Sequence, residues 1–378
     1  MRLAILGAFP FPLPQGSQAF AHDHARALEA AGARVTFFCY GSGQGGDPAG
    51  LSVVRVPGVL SSKALRAGPT LRKPVSDAAL AAVYVRAHRE QGFDAAIAHN
   101  VEAVLAAAAA RVLTGVPVIY LAHTLMENEL ASFGPERLRN PLKMAGAGID
   151  RAAARSADAV IALCEAARVE LSAKTRAPVR VIPPGLDPAA DPSVEDQARA
   201  CARAGVEPAR FVLYAGNLDR YQNLDELEAA ARRVPELPIV VATHAAPPDR
   251  ASPLRFHPVE SRDDVRALTF AAGVTVLPRR RRGGFLIKLL NYMEARRAIV
   301  ARGEVAESLE HDRNAWLLPA EAGDCELAEA LAKLMDDRDR ARRLGEAARE
   351  RLESHHAWPL LATRTLSLVG SAVRDAKA

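Results

Sequence analysis

Aromatic residues are scarce: Phe, Trp and Tyr make up 5% of the 378 residues. Proteins that hold single-stranded nucleic acid stack its bases on such rings, so the composition argues against a base-stacking platform. Cysteine is also sparse. Cys39, Cys164, Cys201 and Cys325 lie far apart with no metal-ligand spacing and no disulfide framework, which predicts reduced thiols of the cytoplasmic kind. No run of eighteen apolar residues occurs, so the sequence predicts no membrane-spanning helix. The opening MRLAILGAF is too short an apolar run for a secretion signal and reads as a first strand. A large excess of one charge is missing as well. The net charge is +5, which permits an anionic ligand or a membrane surface without requiring nucleic acid.

What is present is an ordinary globular composition, 49% hydrophobic and 25% charged. The length exceeds one ordinary core and predicts two domains. Residues 2–7 read as a buried strand, followed by a helix to about Gly32 and a strand at 35–39. Further strands are expected at 94–98, 116–121 and 158–162, with helices between them. The stretches 41–50 and 57–74 read as loops. A second series of the same kind opens at 211–216 and continues through strands at 239–242, 254–257, 274–277, 298–301 and 316–318. The segment from Cys325 onward is nearly all helical. The alternation predicts two doubly wound parallel-sheet domains, 1–175 and 176–357, followed by an apolar helix at about 358–378. Ligands of such sheets bind at the carboxyl ends of the strands, so a central cleft is expected.

The stretch 283–301, GGFLIKLLNYMEARRAIVA, carries the strongest local signal. Two glycines precede a helical pattern with Leu286, Leu289, Leu290 and Met293 on one face. A glycine turn opening a helix presents free N–H groups and the positive end of the helix dipole, a favourable spot for phosphate. Lys288 adds a charge one turn in. A surface turn with a packing helix would need the same residues.

Several segments, taken in order, resemble glycosyltransferase family 4, the retaining enzymes with the two-Rossmann GT-B fold. They are Gln15-Gly16-Ser17-Gln18, Ile149-Asp150-Arg151 with Ser156 through Ala162, Val181 through Asp187 (VIPPGLD), Leu213-Tyr214-Ala215-Gly216-Asn217-Leu218, Gly284-Phe285 with Leu289 through Met293, and Asn314 through Pro319. The resemblance implies that the C-terminal domain binds a nucleotide sugar and the N-terminal domain an acceptor, and that the helix at about 358–378 returns to the first domain. It implies that the amides of Gly16 and Ser17 meet the donor diphosphate, although Ser17 also suits a helix N-cap. It places His123, at the end of an apolar strand, near the transferred sugar, where a structural hydrogen bond is the plain alternative. Glu127 and Glu129 follow on the same loop as candidates for an acceptor hydroxyl, and His99 is a weaker candidate. His22, His24, His355 and His356 form no constellation in sequence.

The donor half departs from the family pattern. Asn217 stands at the usual arginine position and Gln222 at the usual lysine position, with Arg220 nearby. The Glu-x7-Glu motif is missing; its positions are held by Gly283 and Asn291. Asn291 still has an amide oxygen to accept from a ribose. Arg282 ends an arginine run, 279–282, that would serve a diphosphate or simply face water. Gly283, Gly284, Phe285, Leu286 and Lys288 complete the expected donor turn.

The reading that results is a retaining transferase moving a hexosyl group from a nucleoside diphosphate sugar to an acceptor hydroxyl. The donor is a co-substrate, and no cofactor is expected. No Asp-x-Asp motif lies in a fitting place, so no metal is expected. The acceptor is left open among small molecules, glycans and lipid-linked groups. A cytoplasmic location is expected, with peripheral contact at the inner membrane face left open. The departures keep two alternatives: a non-catalytic nucleotide-sugar-binding protein or subunit, and a GT-B nucleotide-sugar epimerase.

Overall fold

The computed structural model describes residues 1–12, 16–41, 43, 50–60, 73–133, 136–280 and 284–377. The chain forms two compact units. The first comprises Met1–Gly185, Gly283–Phe285 and Trp358–Ala378; the second comprises Leu186–Arg282 and Leu286–Ala357.

In the first unit the chain runs β1 (Arg2–Gly7), α1 (Gly16–Ala30), β2 (Arg34–Cys39), β3 (Ser52–Arg55), α2 (Lys73–Gln91), β4 (Ala95–His99), α3 (Val101–Thr114) and β5 (Val118–Ala122). It continues through α4 (Met126–Phe133), α5 (Arg139–Arg155), β6 (Ala159–Ala162), α6 (Glu165–Ser172) and β7 (Val179–Val181). The strands form one parallel sheet in the order β3-β2-β1-β4-β5-β6-β7. Strands such as β4 and β5 are buried at every residue, as parallel strands covered on both faces must be. The strand order reverses between β1 and β4. At that switch point Gly7 pairs with His99, and His99 with Leu121.

The second unit repeats the plan with α7 (Val194–Ala204), β8 (Val212–Ala215), α8 (Leu224–Arg233), β9 (Ile239–Thr243), β10 (Arg255–Pro258), α9 (Arg262–Ala271), β11 (Val274–Leu277) and α10 (Ile287–Glu294). β12 (Ala298–Arg302), β13 (Trp316–Leu318), α11 (Asp324–Asp336) and α12 (Arg338–His355) complete it. Its parallel sheet has the order β10-β9-β8-β11-β12-β13, with the switch point between β8 and β11. The last helix, α13 (Trp358–Asp375), belongs to the first unit, where it packs on α1.

Three details differ from the sequence reading. The units divide at Gly185/Leu186, ten residues beyond the expected 175/176, because β7 adds to the first sheet beside β6. The edge strand β3 lies between the two stretches read as loops; 42, 44–49 and 61–72 of those stretches fall outside the described residues. Helix α1 already includes Gly16, so Ser17 sits in its first turn and is not its N-cap. Among the described residues no helix is long and apolar enough to cross a membrane.

Candidate functional site

Each sheet carries a polar cluster at its switch point, the place where doubly wound sheets bind ligands. In the first unit the cluster is made of histidines. His99 ends β4, His123 follows β5 directly, and His24 points inward from α1. His99 Nδ1 lies 2.9 Å from His123 Nε2, and His99 Nε2 lies 3.3 Å from His24 Nδ1. His24 Nε2 lies 3.4 Å from the Thr365 hydroxyl on α13. Phe20 stacks on His24 and meets His123 edge-on at 5.1 Å, while the Trp358 ring stacks on both Phe20 and His24. Burial among these rings pushes the His24 pKa down to about 4 and that of His123 to about 3, and holds His99 well below its ordinary value. All three are therefore neutral at pH 7.

Glu127 stands at the start of α4 and is engaged elsewhere. Lys174 donates to its carboxylate at 2.9 Å and Lys143 lies 3.6 Å away; the Lys174 bond holds its pKa low. Glu129 accepts from the Thr124 hydroxyl at 2.7 Å. The start of α4 is fixed by the fully buried Asp150, whose two oxygens accept from the N–H groups of Met126 and Glu127 at 2.9 and 3.0 Å. Asp150 thus tethers the segment that carries His123. Gly16 and Ser17 are exposed at the start of α1. Gly284 has φ +91°, and a Cβ there would fall 2.8 Å from the carbonyl oxygen of His123, so the position requires glycine. Phe285 beside it is half-buried. Arg282 and Gly283 lie outside the described residues.

In the second unit the cluster gathers where β8 ends. Lys288, the second residue of α10, donates to the Tyr214 hydroxyl at 3.0 Å and lies 4.3 Å from the centre of that ring. Gln222 Oε1 is 3.4 Å from the same ammonium. Gln222 Nε2 donates to Asn217 Oδ1 at 2.8 Å, and Asn217 donates in turn to Asp219 and to the Tyr221 hydroxyl. Arg279, just past β11, lies over the Tyr221 ring. Gly216 has φ +152°, and a Cβ there would fall 2.3 Å from Lys288 Nζ; the glycine leaves the room the ammonium occupies. Burial, reinforced by the Arg279 guanidinium, lowers the Lys288 pKa to about 7. Among the described residues Lys288 makes no ion pair, and the Asp219 carboxylate attracts it too weakly to offset its burial.

The remaining expected residues divide. Arg220 is exposed in the short helical turn Arg220–Gln222, and Asn291 is exposed on α10. Leu286 is buried with Leu289, Leu290 and Met293, which makes it a packing residue. Arg280 of the arginine run is a structural clasp. It binds Glu226 at 2.6 Å and the carbonyls of Ala320 and Ala322. The sequence reading missed His24 and Tyr214. The signal for His24 was its place four residues after Phe20 on one buried helical face. Tyr214 lay in plain view within the motif before Gly216.

Comparison with known proteins gives the broad family. The profile described as Glycosyltransferase Family 4 matches residues 14–190, and that described as Glycosyl transferases group 1 matches residues 209–337. The chain is a GT-B glycosyltransferase, family 4-like. The first match takes in the histidine cluster and the second takes in the Lys288 cluster. A relative of this glycosyltransferase, the alpha-maltose-1-phosphate synthase of Mycolicibacterium smegmatis, is 28% identical over 299 residues, covering 70% of this chain and 75% of the relative. The sucrose-phosphate synthase of Thermosynechococcus elongatus has a similar structure, with a TM-score of 0.80, 18% identity and 98% of each chain covered. Anabaena HepE, solved in complex with UDP and glucose, superposes with a TM-score of 0.72 at 16% identity, covering 98% of this chain and 100% of HepE.

Proposed function

We propose that this glycosyltransferase is a retaining enzyme that moves a hexosyl group from a nucleoside diphosphate sugar to an acceptor hydroxyl. The observation that carries the reading is Lys288, a half-buried ammonium at the switch point of the second sheet that makes no ion pair among the described residues and feels Asp219 only as a weaker, longer-range attraction that burial outweighs. Desolvating a cation is costly unless an anion arrives to pair with it. A diphosphate supplies that anion, and Lys288 and Arg279 supply the two positive charges that the family pattern places at the positions of Asn217 and Gln222. The same two charges would stabilise the departing diphosphate, with catalysis resting on positioning and fixed electrostatics and on no metal. UDP bound to HepE supports a nucleotide donor here, and glucose there supports a hexose. His123 serves the transferred sugar, and the acceptor is a small molecule, a glycan or a lipid-linked group.

The test is to incubate the purified protein with a panel of nucleoside diphosphate sugars and candidate acceptors. Release of nucleoside diphosphate and the anomeric configuration of the product, read by NMR, are the measurements. Transfer with retention is expected. Inversion would refute the retaining mechanism. Nucleotide binding with no turnover across the panel would replace the enzyme by a binding protein, and a changed free nucleotide sugar would replace transfer by epimerisation.

A further inference from the structure

The histidine chain has a direction, and the direction decides what His123 offers. Each bond in the chain needs one donor and one acceptor, and a neutral imidazole has one of each. Both ring nitrogens of His24 and both of His99 are committed to the chain. Only two proton arrangements therefore satisfy it, with all donors pointing toward His123 or all pointing away. Thr365 selects between them. Its side chain is fully buried, and among the described residues its hydroxyl has one hydrogen-bond partner, His24 Nε2. A buried hydroxyl with a single partner that can accept donates to it. Thr365 then donates to His24, His24 Nδ1–H to His99 Nε2, and His99 Nδ1–H to His123 Nε2.

We propose that Thr365, His24 and His99 are positioning residues that fix the proton of His123 on Nδ1, so that His123 acts as a hydrogen-bond donor and not as a general base. Among the described residues Nδ1 of His123 makes no hydrogen bond, which leaves that N–H for a ligand oxygen. The proposal rests on the reading that His123 serves the transferred sugar. An N–H of this kind suits a sugar hydroxyl oxygen or an oxygen that gains negative charge as the donor bond breaks. The stack of Phe20 and Trp358 seals the chain from water and keeps its rings in line. The ring nitrogens bond to one another and do not converge on a point. Consistent with this, no group of three or more His, Cys, Asp or Glu among the described residues is placed to hold a metal ion.

The experiment is nitrogen-15 NMR of the full-length protein labelled at histidine, which reports the proton position on each imidazole and needs no substrate. The wild type should show His123 protonated on Nδ1 at pH 7. The near-isosteric Thr365→Val removes the directing hydroxyl and should populate the Nε2–H form of His123, and Thr365→Ser should restore the wild-type spectrum. A bare Nδ1 in the wild type, or an unchanged His123 tautomer in Thr365→Val, overturns the proposal. Under turnover, Thr365→Val should lower kcat several-fold with little change in KM for the donor, and Thr365→Ser should recover it. A normal kcat alongside a shifted tautomer overturns the positioning role. An absence of turnover in every variant, the wild type included, points instead to failure of the transferase reading, while the spectrum still decides the tautomer.

Discussion

At the scale of single residues, the second unit shows how a charge can move between elements without leaving a site. The family pattern puts cations at the positions of Asn217 and Gln222, and here neither carries one. Lys288 reaches the same corner from α10, 66 residues further along the chain than Gln222. Its lowered pKa gives a direct test of the diphosphate role. In the free protein Lys288 is charged below about pH 7 and increasingly neutral above it. A diphosphate stabilises the charged form and raises the pKa again, so binding above pH 7 must take up a proton. Affinity for nucleoside diphosphate should therefore fall by roughly tenfold for each pH unit above 7, until the raised pKa of the complex is reached. Calorimetric titration at pH 8 in buffers of different ionisation enthalpy should show uptake of most of one proton. Lys288→Met should abolish the uptake and weaken diphosphate binding by roughly ten- to hundredfold, while affinity for the bare nucleoside holds. Binding with no proton uptake, or with uptake unchanged in the variant, would remove Lys288 from the phosphate site.

At the scale of elements, apolar runs made most of the strands legible. β5, VIYLA, is buried at every residue and reads as a parallel strand from sequence alone. β3, SVVR, did not, because a four-residue edge strand between glycine-rich and basic segments carries too little pattern. The helical face of α10 was readable, and its buried leucines bear that out. The networks were not. Lys288 meets Tyr214 across 74 positions, and His24 meets Thr365 across 341, separations at which sequence periodicity says nothing. Asp150 was visible as part of a motif, and its task appears only in three dimensions: it ties α5 to the first turn of α4. The packing there is tight. A Cβ on Gly146 would fall 2.2 Å from the carbonyl oxygen of Met126. Asp150→Ala strips two N–H groups of a buried partner and should cost about 1.5–3 kcal/mol, roughly 3–12 °C of melting temperature in a unit of this size. Because α4 continues the segment that bears His123, the same variant should lose activity at temperatures where it is still folded. A thermal melt and an activity assay on one sample check both, and an unchanged melting temperature would mean that water replaces the carboxylate at no cost.

At the scale of the whole molecule, the two units carry pH liabilities of the same sign in different windows. Lys288 in the second unit has a folded pKa of about 7, below its ordinary 10.5, so the unfolded state binds the extra proton between those values and stability rises with pH across that window. The first unit buries three neutral histidines whose folded pKa values lie far below 6.5. There too the unfolded state binds more protons, but the window runs from about 6.5 downward. The histidines cost nothing above pH 7 and weaken the fold progressively as the pH falls below 6.5. His24 and His123 each contribute about 2 kcal/mol of destabilisation between pH 7 and pH 5, since the unfolded imidazole is almost fully protonated at pH 5 and the folded one is not, and His99 acts in the same direction. Carboxylates with depressed pKa values, such as Asp312, Asp324 and Glu310, hold their charge through this window and begin to matter only below it. Scanning calorimetry at pH 7 and pH 5 should therefore show the transition of the first unit moving down by many degrees while that of the second moves little. His24→Gln removes one titrating group and should shrink the acid shift even if it lowers the melting temperature at pH 7. Equal acid shifts in both transitions, or a full shift in His24→Gln, would show that the acid sensitivity does not come from the histidine chain.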